Sequence, residues 1–186
     1  MTQETILNIF KGYADKCPTE TTLDSIVNLI RTDAALADHT AKHRYCREQG
    51  WKDQATREKS ACPCFAVAVR FQGGKKRTDI CGWTHLCLAD FDDLPAEALD
   101  ACMEKIRKDE HTLLAYFTVG GAGIRVLARF KPAEEYFFRT ETELYKVAFE
   151  QVNRHYAALI GHPYDAKCKD VTRLSGLAHD PDVHYN

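Results

Sequence analysis

The sequence lacks any long hydrophobic run. No apolar stretch approaches the ~18 residues that identify a membrane-spanning helix, so we expect no membrane partner. The N-terminal segment MTQETILNIF has no basic residues before an apolar stretch. A secretory signal is therefore not predicted, and a cytoplasmic location is expected. The chain also lacks repeats and low-complexity segments, and its 45% hydrophobic and 28% charged residues are typical of a globular domain.

The chain is not poor in cysteine, but its eight cysteines lack the spacing of a metal site or a disulfide framework. Without a secretory signal, most of them should be free thiols. The only close pair flanks Pro63, and a single Cys-x-Cys motif is a weak zinc signal because structural zinc sites usually contain two such pairs. Cys87 and Cys102 fall on apolar stripes and are expected in the core.

The chain has no large excess of one charge, since its formal net charge is only −2. The charge is unevenly distributed, however. Residues 39–78 contain ten Lys and Arg against three acidic residues, so this window carries a charge of +7. Such a stretch could bind a polyanion, or it could be a solvated helix face followed by a charged hairpin turn. The candidate nucleic-acid contacts are Lys75, Lys76 and Arg77, with Tyr45 and Trp51 available for base stacking.

Hydrophobic periodicity predicts an α+β fold in which helices flank a mixed or antiparallel sheet. Residues 4–13 could form a strand or a short helix. Helices are expected over residues 22–31, from Asp33 to near Gly50, after Pro95, and over most of residues 133–160, whereas residues 51–61 are interpreted as a surface loop. Strands are expected over residues 65–71, 84–91, 113–119 and 124–130. The tail from Tyr164 onward has few helix signals.

Three motifs carry candidate chemistry. In LADFDD, Asp90 and Asp92 are two residues apart on a strand, so both carboxylates project from one face and could bind Mg²⁺ or Mn²⁺. The alternative is an acidic turn that caps the following helix. In TVGGAGIRV, the glycines could let backbone amides approach a phosphate beside Arg125, or could simply form a hairpin turn. In YDAKCKDVTRLSGL, two acidic residues precede Arg173, which could contact a carboxylate or a phosphate.

The three motifs, in this order, resemble the archaeo-eukaryotic primase, or primase–polymerase, superfamily. More narrowly, the chain is similar to the VirE-type N-terminal domain of Bacteroides mobile-element proteins. The segments that carry this similarity are HLCLADFDDLP, TVGGAGIRVLARF and YDAKCKDVTRLSGLAHDPDVHYN. The similarity covers residues 60–186 well and the first 60 residues only loosely. It implies an RRM-like sheet flanked by helices.

The resemblance also implies the roles of individual residues. Asp90, Asp92 and Asp165 would be the catalytic metal ligands, with Asp170 as the weaker alternative for the third position. Arg125 stands where the superfamily often has a histidine that contacts the nucleotide phosphates. The implied nucleotide-binding residues are Gly121, Gly123, Arg125 and Arg173.

The implied function is metal-dependent nucleotide transfer on a DNA template, as in the replication protein of a mobile element. The expected partners are a nucleoside triphosphate, a single-stranded DNA template and a helicase domain in the same polypeptide. Residues 1–60 would be the N-terminal, helical part of the domain and residues 61–186 its catalytic core, at the N-terminus of a longer protein. The alternative is a nonenzymatic nucleic-acid-binding module that keeps the fold without the activity.

Overall fold

The computed structural model describes residues 4–131 and 140–186, which contain five α-helices and ten β-strands. The helices are α1 (Leu23–Thr32), α2 (Ala34–Glu48), α3 (Lys52–Ala61), α4 (Ala96–Lys108) and α5 (Glu141–Ile160). The strands are β1 (Ile6–Phe10), β2 (Thr19–Thr22), β3 (Cys64–Ala66), β4 (Val69–Phe71), β5 (Ile80–Trp83), β6 (Leu86–Phe91), β7 (Thr112–Phe117), β8 (Ile124–Arg129), β9 (Leu174–Gly176) and β10 (His184–Tyr185). The predicted α+β class is confirmed.

The strands form two four-stranded sheets and one hairpin, where the sequence had suggested a single sheet. The first sheet has the order β2-β1-β3-β9, the second has the order β10-β7-β8-β6, and β4 pairs with β5. Every adjacent pair whose register is described is antiparallel. Because β6 and β7 both pair with β8, they run in the same direction and are joined through α4. The acidic and glycine-rich motifs therefore meet on neighbouring strands of the second sheet.

The two faces of the second sheet belong to different hydrophobic clusters. Alternation in β6 and β8 places Ala89, Phe91, Ile124 and Val126 in a cluster with residues of α4 and α5. Leu88 and its same-face neighbours belong to a cluster shared with the first sheet and α1. Asp90 and Arg125 lie on the same face as Leu88, because they alternate along their strands with the residues that contact α4 and α5.

Local signals explain most helix ends. The side chain of Thr22 accepts a hydrogen bond from the Ser25 backbone N–H at the start of α1, and Asp33 caps α2 in the same way. Thr140 and Glu143 form a reciprocal capping box at the start of α5. The prediction of helix over residues 133–160 is confirmed from residue 141 onward, while residues 132–139 lie outside the described part of the chain. Among the described residues, no helix is both long and apolar enough to cross a membrane.

Two sequence-based assignments were wrong. Residues 51–61, interpreted as a surface loop, form α3 instead. Ala55 is the only buried residue of α3. The helix needs no apolar stripe, so its sequence lacks the hydrophobic periodicity from which a helix would be predicted. The expected single strand over residues 65–71 is divided into β3 and β4, which pair with different partners.

Candidate functional site

The acid pair lies where β6 ends. Asp90 is the fifth residue of this strand and is only 4% exposed, whereas Asp92 follows the strand and is exposed. Both side chains line one cleft of about 470 Å³. Asp93 does not line it and has a left-handed backbone, with φ of 55°. The structure therefore brings together the two acidic residues that the strand alternation selected.

A buried ion pair joins the first motif to the second. Asp90 and Arg125 are direct partners in the antiparallel register of β6 and β8. The Arg125 Nε lies 3.3 Å from each Asp90 carboxylate oxygen, and its Nη1 donates a hydrogen bond to the Gly176 carbonyl. The Arg125 side chain is only 10% exposed and the Asp90 side chain only 5% exposed. At least two of the Arg125 donor atoms are thus engaged within the protein.

Electrostatics distinguish the charged groups at this site. Burial acts to lower the pKa of Arg125, but the Asp90 carboxylate and two neighbouring tyrosines raise it above the ordinary value. The pKa of Asp92 is raised by desolvation and by repulsion from Asp90, although Arg125 and Lys59 oppose this shift. Asp92 is therefore a carboxylate whose negative charge would be stabilised by an added cation.

Residues of the third motif contact Asp90. The backbone N–H of Asp165 donates a hydrogen bond of 2.9 Å to the Asp90 carbonyl. The Cys168 Sγ lies 3.8 Å from Asp90 Oδ2 and 3.6 Å from Asp165 Oδ2. Burial and the nearby Asp90 charge raise the pKa of this thiol to about 12, so it remains protonated and can donate to a carboxylate. Asp165 also pairs with Arg173, at 3.7 Å.

Asp170, the weaker candidate for the third acid, has a different environment. Its Oδ1 accepts hydrogen bonds from the backbone N–H and the hydroxyl of Thr172, both at 3.0 Å, and pairs with Arg77 at 3.4 Å. The Thr172 hydrogen bonds hold the pKa of Asp170 below its usual value. Asp170 organises a local turn, so the geometry favours Asp165 as the acid beside Asp90.

Basic side chains surround the acid pair in the cleft. Lys59 from α3, Lys75 and Arg173 line it together with Tyr13. Arg125 also contributes to the wall, mostly buried. Sequence reasoning did not select Lys59 or Tyr13. The basic window contained Lys59 without singling it out, and the sequence has no signal that places Tyr13 beside the acids.

The glycine-rich turn between β7 and β8 lies beside the end of β6. Gly121 has a φ of 75°, which suits glycine, and a Cβ on Gly123 would lie 2.5 Å from the Phe91 carbonyl oxygen. Arg44 covers the turn by donating hydrogen bonds to the carbonyls of Thr118 and Val119. Gly121 and Gly123 are not among the described residues that line the acid cleft. Their assignment to phosphate binding stays a prediction.

The three basic side chains of residues 75–77 have different environments. The Lys75 ammonium donates to the Tyr13 carbonyl and lies 5.7 Å from the centre of the Phe10 ring, while its side chain lines the cleft. Lys76 is exposed, and Arg77 pairs with Asp170. Of the three, Lys75 is the one brought to the acid pair.

The donor set can be compared with the needs of a divalent cation. Within residues 4–131 and 140–186, no three His, Cys, Asp or Glu side chains form a ready metal-binding group. Mg²⁺, however, is usually held by one or two carboxylates together with substrate phosphates. Asp90 and Asp92 offer only oxygen atoms, and each such oxygen keeps acceptor capacity beyond a single hydrogen bond. These residues therefore fit a cation that arrives with a phosphate ligand.

Comparison with known proteins places the chain in a family. Neither the curated proteins nor the solved structures contain a match. Residues 57–185 match the family described as "BT4734-like, N-terminal domain", a Bacteroides family name that agrees with the Bacteroides part of the resemblance. This match spans more than half of the sequence and includes all three motifs. The chain therefore belongs to the BT4734-like N-terminal domain family.

Proposed function

We propose that this domain is a primase–polymerase-like nucleotidyltransferase, which joins nucleotides on a single-stranded DNA template during replication of a mobile element. The observation that carries the proposal is the cleft lined by Asp90 and Asp92, beside which the Asp165 backbone N–H donates a hydrogen bond to the Asp90 carbonyl. Under this proposal, β6, α4, β7 and β8 correspond to the RRM-like core of the superfamily, and a helicase domain would follow in the same polypeptide.

The charges of the cleft suit a nucleoside triphosphate. Lys59, Lys75 and Arg173 line the cleft and would contact phosphate oxygens, which an Arg side chain can do through two parallel hydrogen bonds. The cleft volume of about 470 Å³ lies within the usual range for small-molecule sites. Tyr13 presents an aromatic ring in the same cleft and could pack against a base or sugar.

In the reaction, the carboxylates would hold Mg²⁺ or Mn²⁺ against the phosphates, with Asp90 and Asp92 as the first ligands and Asp165 beside them. When bound, the cation would activate the attacking 3′-hydroxyl and stabilise the departing pyrophosphate. Arg125 would hold the buried Asp90 carboxylate in position. The raised pKa of Asp92 implies that its ionisation is coupled to cation binding.

A nucleotide-incorporation assay tests the proposal. The protein is incubated with a primed single-stranded template, Mg²⁺ or Mn²⁺ and either ribonucleotides or deoxyribonucleotides. Asp90→Asn, Asp92→Asn and Asp165→Asn should each lower the rate by at least ~100-fold, the scale expected when charge stabilisation at the reacting atoms is lost.

Asp93→Asn is the matched control, because Asp93 is an exposed neighbour outside the cleft and Asn tolerates its left-handed backbone. This variant should retain the wild-type rate. If the wild type incorporates no nucleotide with either metal, or if the Asp93 variant loses as much activity as the Asp92 variant, the proposal is wrong.

A nonenzymatic nucleic-acid-binding module is the second candidate. It is favoured by the Arg125 contacts, because a guanidinium engaged with Asp90 and Gly176 is poorly placed to replace a phosphate-binding histidine. Such a module should bind single strands equally well in EDTA and should form no nucleotide-dependent product. Metal-independent binding without incorporation would favour this candidate.

A further inference from the structure

The corner between α2 and α3 presents two large aromatic rings to solvent. Tyr45 is 53% exposed and Trp51 is 49% exposed. Their ring centroids are 5.7 Å apart with an interplanar angle of 82°. The Trp51 backbone N–H is fixed by a 2.8 Å hydrogen bond to the Cys46 carbonyl, and Gly50 adopts a φ of 74° at the turn. The corner therefore displays adjacent rings on a backbone that its hydrogen bonds hold in place.

A groove of about 600 Å³ adjoins this pair of rings. It is lined by Trp51, Lys52, Asp53 and Arg57, with Gly50 and Gln54 completing it. One carboxylate thus faces two cationic side chains. Exposed rings beside cations suit a ligand that combines flat apolar surfaces with negative charge, as unpaired bases on a phosphate backbone do.

The corner is connected to the acid cleft along α3. Arg57 lines the groove, and Lys59 on the same helix lines the cleft that contains Asp92. Because α3 has only ten residues, it spans roughly 15 Å from end to end. Because Arg57 and Lys59 are two positions apart and point to different sides of α3, a strand that enters over the corner would have to cross this helix to reach the acid pair, a distance of a few nucleotides.

Helix α2 makes a second connection. Arg47 lies against the glycine-rich turn, since its Nη1 is 3.0 Å from the position of a Cβ on Gly120. Gly123 of the same turn packs against the Phe91 carbonyl at the end of β6. Of the nearby acidic residues, Glu58 contacts His39 at 2.7 Å, whereas Asp53 lines the groove beside Lys52 and Arg57.

We propose that Tyr45 and Trp51 form a base-stacking subsite for single-stranded nucleic acid, and that Arg47, Arg57 and Lys59 guide the phosphate backbone from there to the acid cleft. This inference deepens the proposed function and rests on it only for the identity of the strand as the template. Stacking reads no base edges, so the subsite should accept many sequences. Duplex DNA should bind more weakly because its bases are already stacked.

Fluorescence anisotropy with a labelled oligothymidylate and with a matched duplex tests the subsite. Trp51→Ala should weaken single-strand binding by roughly 5-fold or more, the scale for loss of one stacked base. Trp51→Phe should restore much of the affinity. Tyr185→Ala is the control, because Tyr185 is an exposed aromatic residue on β10 that lines neither the groove nor the acid cleft.

Salt dependence separates stacking from charge. Trp51→Ala should lower affinity equally at every salt concentration, because no phosphate contact is lost. Arg57→Gln should reduce the slope of log affinity against log salt by about 0.7, the value for one phosphate contact on a single strand. Unchanged affinity in both variants, equal loss in the Tyr185 control, or preferential binding of duplex would overturn the subsite. Self-association of the wild type that Trp51→Ala abolishes, with strand binding intact, would also overturn it and assign the corner to a second copy of the chain.

The proposed function can fail separately. Asp92→Asn, a change at an exposed carboxylate, should lose nucleotide incorporation, which tests the enzyme without breaking the buried Asp90–Arg125 pair. Trp51→Ala should instead need more template for half-maximal incorporation and reach the same maximal rate. If the wild type incorporates no nucleotide but Trp51→Ala still loses strand affinity, the subsite stands without the enzyme. If incorporation occurs and Trp51→Ala needs no additional template, the enzyme stands without the subsite.

Discussion

Replacement of Arg125 by alanine should destabilise the fold more than removal of any solvent-facing charge at the cleft. The guanidinium contacts both oxygens of Asp90, and both side chains are at least nine-tenths buried. In Arg125→Ala, the Asp90 carboxylate would stay buried without its cation, and the Gly176 carbonyl would lose a donor. Removal of one partner from a buried pair typically costs about 3–5 kcal/mol of unfolding free energy.

The measurement is urea unfolding at neutral pH together with a thermal melt. A chain of this size loses about 2–4 °C of Tm per kcal/mol, so the melting temperature should fall by roughly 6–20 °C. Arg129→Ala is the matched control on the same strand, since Arg129 is exposed and donates one hydrogen bond of 2.8 Å to the Thr5 hydroxyl. Its cost should remain within about 1 kcal/mol.

A double variant tests the cause of the destabilisation. Asp90→Asn combined with Arg125→Ala removes both charges, so it should be more stable than Arg125→Ala alone. If Arg125→Ala melts like Arg129→Ala, or if the double variant is less stable than the single one, the buried ion pair does not stabilise the fold. Unchanged stability with weakened nucleotide binding would instead identify Arg125 as a phosphate contact.

Three further predictions concern the same region. Desolvation and repulsion from Asp90 raise the pKa of Asp92, so the ionisation of this carboxyl opposes folding as pH rises through that pKa. In thermal melts, Asp92→Asn should therefore raise Tm near about pH 7 but not near about pH 3. The Cys168 thiol, with a pKa of about 12, should be alkylated by iodoacetamide at about pH 8 far more slowly than the two exposed cysteines, as mass spectrometry can follow. Gly123→Ala should cost about 1–3 kcal/mol in urea unfolding, because its Cβ would meet the Phe91 carbonyl; equal stability would show that the turn can shift.

The sequence predicted the elements whose periodicity is strong. The apolar stripe that includes Cys102, Met103 and Ile106 predicted α4, and all three residues are buried in the structure. The alternation of β6 placed Asp90 on the face opposite Ala89 and Phe91, which pack with α4 and α5. The local side-chain pattern was sufficient to predict α4 and β6, because each face of these elements has a single environment.

Strands that are very short or polar could not be predicted in this way. Strand β2 has the polar sequence TETT, and β9 has three residues, so neither carries a useful hydrophobic period. Their strand structure comes from pairing with β1 and β3, and β9 lies more than 100 residues after β3. Tyr13, between β1 and β2, and Lys59, on α3, line the cleft together with Arg173, which lies more than 100 residues later, so no local motif identified them.

The cations at the cleft divide into two groups with different physical roles. Arg125 is buried, and its contacts with Asp90 and Gly176 are made before any ligand binds. Lys59, Lys75 and Arg173 line the same cleft with more exposed side chains, although Arg173 also pairs with Asp165 and Lys75 donates to the Tyr13 carbonyl. Because the buried charge is already compensated, most ligand affinity should come from the solvent-facing group, whereas Arg125 supports the position of Asp90. Under the proposed function, Arg125 need not contact the nucleotide, because these lysine and arginine side chains would supply the phosphate contacts.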